Sequence, residues 1–208
     1  MWLLDNDILA GLSRLDLVEE ALGALQIPDS EIYFLDAARY SLGVAGGSKK
    51  ARARLEPESM QRLRGLLERG SVLSHLELDH DLVYELGQFN QIDAGEAHLF
   101  ACAAKTRRAR LCTGDKRCLI ALAREPSLRP VAEALAGRVV CLEQIVARVV
   151  VQYPFQEVLR KVLPGVDCST ALRIAFGSRE QCQRESVLEG LASYTESLRR
   201  ECGSLLAP

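Results

Sequence analysis

At 208 residues the chain has room for one sizeable α/β domain with an appendage, or for two small domains. Its composition, 48% hydrophobic and 26% charged, is that of an ordinary globular protein. A net charge of −2 leaves nucleic-acid binding to local basic patches, and no apolar run approaches the roughly 18 residues that a membrane span requires. The seven cysteines are odd in number and form no CxxC pair, which argues against a disulfide framework or a zinc site. Cys102, Cys112, Cys118 and Cys141 lie in apolar segments, where a thiol acts as a small hydrophobe. Asp5 and Asp7 interrupt the first apolar stretch, so it does not read as a secretory leader, and the expectation is a reduced cytoplasmic protein.

Residues 1–5 read as a buried strand, followed by a helix over 7–13 capped by Asp5 or Asn6. Helical spacing of Leu17, Val18, Ala21, Leu22 and Leu25 predicts a helix over 16–25, which Pro28 ends. A second strand over 31–35 leads into a helix over 36–42. The glycine-rich segment 43–48 then runs into Lys49, Lys50, Arg52 and Arg54. This basic run has two readings, a mobile arm that touches phosphate or a solvated helix face. Helical spacing resumes over 56–69, residues 71–74 read as strand or loop, and 79–89 as another helix.

Next come a small-residue helix over 94–105, a strand over 109–113 and a helix over 115–124. A short helix follows around 131–136, and a last strand over 137–142. Strands alternating with helices predict a parallel sheet covered on both faces. After 145 the pattern is helical only, so the chain divides into an α/β domain, 1–145, and an all-helical C-terminal extension, 146–208. Ser178 to Gln181 has the form of a capping box, opening a helix with Val187, Leu188, Leu191, Tyr194 and Leu198 on one stripe. That stripe has two candidate partners, the α/β core or a second copy of the chain in a homodimer.

Asp5 and Asp115 each follow a predicted strand, and Glu96 lies in the first turn of the helix between them in sequence. In a parallel sheet the three meet at one edge. Each can serve simply as a helix cap: Asp93 and Glu96 fit a capping box, and Asp5 and Asp115 fit N-caps. Three carboxylates gathered together also need a counter-charge. A hard divalent cation such as Mg²⁺ or Mn²⁺ supplies one, and can position a water against a phosphodiester. Lys116, beside Asp115, is placed to meet a phosphate. Lys105, Arg107, Arg108 and Arg110 follow the Glu96 helix at its far end, where cations complement the helix dipole. His75, His80 and His98 form no metal spacing, and no phosphate-binding glycine motif or serine triad is legible.

Three stretches, LLDNDIL at 3–9, IDAGEAHLFACA at 92–103 and LCTGDK at 111–116, together resemble the PIN-domain family. These are metal-dependent nucleases, many of them RNA-cleaving toxins of bacterial toxin–antitoxin pairs. The resemblance covers about 1–145. It implies a PIN-like parallel sheet sandwiched by helices and an endoribonuclease whose catalytic, Mg²⁺- or Mn²⁺-holding acids are Asp5, Glu96 and Asp115. It also implies RNA as substrate, a grip on its backbone by Lys49, Lys50, Arg52, Arg54 and Lys116, and a small protein inhibitor as partner. The family's usual glutamate after the second strand falls here on Ser41, and Asp7 is the candidate replacement ligand. The alternative is a catalytically inactive PIN-like module that binds RNA or a protein partner.

Overall fold

The computed structural model describes residues 1–46, 55–73, 79–177 and 182–208. Lys49, Lys50, Arg52, Arg54, His75 and the capping box at 178–181 lie outside these residues. Five short strands form one all-parallel sheet: β1 (Trp2–Leu4), β2 (Ile32–Phe34), β3 (Ser71–Val72), β4 (Arg110–Cys112) and β5 (Val139–Val140), in the order β3-β2-β1-β4-β5. Trp2 pairs with Ile32 on one side and with Arg110 on the other, and Leu4 pairs with Cys112. Of the ambiguous segment, Ser71–Val72 is an edge strand bonded to β2, and Ser74 lies outside the described residues.

β1, β2 and β5 are apolar on both faces because both faces are covered, while β4 departs at exposed Arg110 and the edge strand β3 is exposed at Ser71 and Val72. Side chains alternate across the pleat. Trp2, Leu4, Ile32, Phe34, Cys112 and Val140 enter one apolar cluster. Leu3, Leu111 and Val139 enter the other. The first cluster is roofed by α1 (Asn6–Arg14), α2 (Val18–Leu25) and α4 (Pro57–Arg69), beside the short α3 (Ala37–Ser41). The second is roofed by α5 (His80–Leu86), α6 (Ala94–Lys105), α7 (Lys116–Arg124) and α8 (Arg129–Ala134).

The remaining helices are α9 (Leu142–Gln152), α10 (Phe155–Val162), α11 (Thr170–Phe176) and α12 (Arg184–Cys202). They share the same two clusters. Val146, Val158, Phe176, Val187 and Leu191 join the first, and Leu198 and Cys202 join the second. The apolar stripe of α12 is thus spent within the chain, with Val187 and Leu191 fully buried and Leu188 and Tyr194 partly so. The last residues close the sheet's edge: Gly137 N–H donates to the Ser204 carbonyl at 2.7 Å, and Ala207 N–H donates to the Val139 carbonyl at 2.7 Å. Covering β5 in this way blunts an exposed strand edge.

Two boundaries differ from expectation for local reasons. The helix expected from Asp16 begins at Val18, because Asp16 has a left-handed backbone (φ 55°) and turns the chain between α1 and α2. Its carboxylate meets Arg62 at 2.7 Å and Lys161 at 3.8 Å. The long C-terminal helix begins at Arg184, with Gln183 at its N-cap. Among the described residues, no helix is long and apolar enough to cross a membrane.

Candidate functional site

The parallel sheet sets the carboxyl ends of β1 and β4 side by side, and each strand passes directly into a helix whose N-cap is an acid. Asp5 caps α1 by accepting from Asn6 N–H at 2.7 Å. Asp115 caps α7 by accepting from Arg117 N–H at 2.8 Å. Asp93 and Glu96 form the reciprocal capping box of α6: Asp93 accepts from Glu96 N–H at 2.8 Å, and Glu96 accepts from Asp93 N–H at 2.7 Å. The helix-capping readings of Asp5, Asp93, Glu96 and Asp115 are therefore realised.

The caps also converge. Asp5 N–H donates to the Cys112 carbonyl at 3.0 Å, which ties the two strand ends together. Buried Thr113 links the Asp5 carboxylate to the backbone of Asp115: its Oγ1 donates to Asp5 at 2.9 Å and accepts from Asp115 N–H at 3.3 Å. Glu96 is 7% exposed. A carboxylate oxygen from each of Glu96 and Asp115 and the Cys118 sulfur all lie within 4.8 Å of one another. Asp5 is outside that tight group and reaches it through Thr113. Asp7 stands one helical residue beyond the Asp5 cap and is exposed.

The acids respond to one another's charge. Burial pushes the Asp5 carboxyl up to about 6, opposed by the Thr113 hydroxyl and Asn6 N–H and assisted by Asp7 and Asp93. Burial likewise pushes Glu96 up to about 7, opposed by the Asp93 N–H and assisted by the Asp93 and Asp115 charges. Asp7 is raised as well: although the residue is exposed, its carboxyl is partly desolvated by its neighbours, and the Asp115 and Asp93 charges add to this. Asp115 differs: burial works against its charge, but the Arg117 side chain and N–H outweigh it and hold the carboxyl below its ordinary value. Arg117 lies 2.6 Å from Asp115 and is 81% exposed. One solvated guanidinium thus faces several carboxylates, three of them, Asp5, Asp7 and Glu96, raised toward neutrality. Within this group Glu96, Asp115 and Cys118 could hold a metal ion.

One member of this cluster was hidden in the sequence. Cys118 read as a core hydrophobe, yet its Sγ donates to the Asp115 carbonyl at 3.0 Å and neighbours Glu96. Its position one helical turn after Asp115 was the available signal. Asp93 was legible as a cap, and its charge reaches Asp5, Asp7 and Glu96 as well.

Ser41 is exposed at the end of α3, and Asp36, the nearest acid, pairs with Arg39 at 3.9 Å. Lys116 turns away from Asp115. Its Nζ donates to Glu143 Oε1 at 3.4 Å and lies 3.8 Å from the centre of the Tyr194 ring. His98 bonds the Ala94 carbonyl one turn earlier in its own helix. Comparison with family models, with curated proteins and with solved structures returned no match.

Proposed function

We propose that the chain is a metal-dependent endoribonuclease of PIN-like architecture, with Asp5, Glu96 and Asp115 as its catalytic acids and Asp7 beside them. The observation that carries this reading is the convergence of acids from three separate segments at the carboxyl edge of a parallel sheet, where ligand sites of open α/β folds lie. Mg²⁺ or Mn²⁺ bound there would supply a polarised phosphodiester and an activated water.

The chain's own residues do the positioning. Thr113 fixes the Asp5 carboxylate relative to β4. The α6 capping box fixes Glu96 against Asp93. Arg117 is exposed beside Asp115, where it can meet a phosphate and release its partner carboxylate. RNA as substrate, a small protein inhibitor as partner and a toxin-like role follow from the motif resemblance in 1–145.

The test is manganese-dependent cleavage of single-stranded RNA by the full chain. Asp5→Asn and Asp115→Asn are expected to abolish it with the circular dichroism spectrum unchanged; undiminished cleavage in both variants would dismiss the assignment. A second reading is favoured by Ser41 and by the capping duty of every acid: a PIN-like module that binds RNA or a protein without cutting. Calorimetry separates the two, since absence of any heat with millimolar Mn²⁺ belongs only to the non-catalytic module.

A further inference from the structure

Glu96 and Cys118 hold the same place in two helices whose starts converge. Each is the third helical residue after an aspartate cap, in Asp93-Ala-Gly-Glu96 for α6 and Asp115-Lys-Arg-Cys118 for α7. Glutamate at this place closes a capping box, and Glu96 does so. Cysteine closes none. The Cys118 Sγ donates instead to the Asp115 carbonyl at 3.0 Å.

Cys118 is fully buried in the second apolar cluster, which accounts for a small side chain there. It does not account for what the sulfur faces. Sγ, a Glu96 oxygen and an Asp115 oxygen lie within 4.8 Å of one another, and the thiol hydrogen-bonds the Glu96 side chain as well. All three are metal-binding atoms. Ligands at about 2.0–2.3 Å from a tetrahedral ion stand about 3.5 Å apart, so these donors need to close by about 1 Å at most. Asp115, whose side chain is 17% exposed, gives the route in from solvent. Asp5 and Asp7 stand outside this set.

We propose that Cys118, with Glu96 and Asp115, ligates the cation at the acid edge, and that its sulfur makes the site one for a borderline transition ion, Zn²⁺ or Co²⁺, over Mg²⁺. The proposal rests on the metal-binding half of the reading above, and its test needs no RNA cleavage. Carboxylates and water suit Mg²⁺ and Mn²⁺, whereas a thiolate shifts the preference toward zinc and cobalt. Three protein ligands with a position left open is the donor count of catalytic zinc sites. The paired cysteine spacing that the sequence lacks belongs to structural zinc sites; this set draws its donors from two separate helix starts. On binding, the Cys118 S–H bond breaks, its proton passes to solvent water and the sulfur bonds the ion. The thiol's hydrogen bond to the Asp115 carbonyl is given up, and no electron is transferred.

The experiment is titration of the metal-free full chain with Co²⁺, followed by absorbance. The expected result is a thiolate-to-cobalt charge-transfer band in the near ultraviolet that Zn²⁺ removes and millimolar Mg²⁺ does not. In C118S the band is lost and the preference for Co²⁺ over Mg²⁺ narrows. Co²⁺ binding without the band, a band that survives in C118S, or displacement by Mg²⁺ as readily as by Zn²⁺ overturns the proposal. If C118S fails to fold, X-ray absorption of the zinc-loaded wild type decides: a sulfur neighbour at about 2.3 Å is expected, and a shell of oxygen alone refutes the assignment. A sulfur-ligated ion without RNA cleavage retires the nuclease reading and leaves the site standing; Mn²⁺-dependent cleavage with no sulfur ligand does the reverse.

Discussion

Replacing Glu96 by glutamine is expected to stabilise the metal-free protein at alkaline pH while removing the proposed RNA cleavage. Glu96 is 7% exposed and its carboxyl is raised to about 7. An acid whose folded value is raised binds more protons folded than unfolded, so stability falls as pH climbs from the unfolded value through the folded one. Between its ordinary 4.5 and about 7, Glu96 therefore withdraws stability, and above that window the loss is complete. At 1.36 kcal/mol per pH unit the full loss is about 3 kcal/mol, and solvent relaxation around the sheet edge brings it nearer 2 kcal/mol. Glutamine can keep the contact with Asp93 N–H and carries no charge. At about 2–4 °C per kcal/mol for a chain of this size, E96Q should melt about 4–8 °C above the wild type at pH 8.5. At pH 5, where the wild-type carboxyl is largely protonated, the two should melt within about 2 °C. Scanning calorimetry with a chelator at both pH values measures the difference. A variant that melts below the wild type at pH 8.5, or a difference that does not change with pH, would refute the electrostatic account of the cluster.

Asp115 should behave in the opposite sense. Its carboxyl is held below the ordinary value by Arg117, so it contributes stability above that value and loses it as pH falls. With a cap also removed, Asp115→Ala should cost about 0.5–2 kcal/mol at pH 7, read by urea unfolding. Cys118→Ser should leave the fold intact and weaken Co²⁺ binding more than Mg²⁺ binding in competition titrations, because a thiol favours the softer ion. A Cβ on Gly165 would collide with the Arg14 backbone carbonyl, so Gly165→Ala should lower stability by about 1–3 kcal/mol without altering metal affinity.

Most of the sheet was legible because its buried strands, though two or three residues long, carry apolar residues on both faces, as Trp2–Leu4 and the Leu111–Cys112 end of β4 illustrate, whereas the exposed Ser71–Val72 strand was not. The acids at its edge were legible for a related reason. Asp5, Asp93, Glu96 and Asp115 are helix caps, and capping has a local sequence signature. What local pattern cannot carry is tertiary pairing. Glu143 read only as the start of a helix, and its contacts with Lys116 and Ser169 span 27 and 26 residues. Cys118 was masked by the apolar periodicity of α7, where one residue both packs and faces the acids. The pairing of Leu206 alongside Val139 joins segments far apart in the chain, and no periodicity announces it.

A crystal of the full chain soaked in millimolar Mn²⁺ tests whether the carboxyl-edge acids share a divalent cation, as proposed. The expected result is a single anomalous peak among Glu96, Asp115 and Asp5, absent from a D115N crystal treated identically. No peak between these side chains, or one that persists unchanged in D115N, would contradict it.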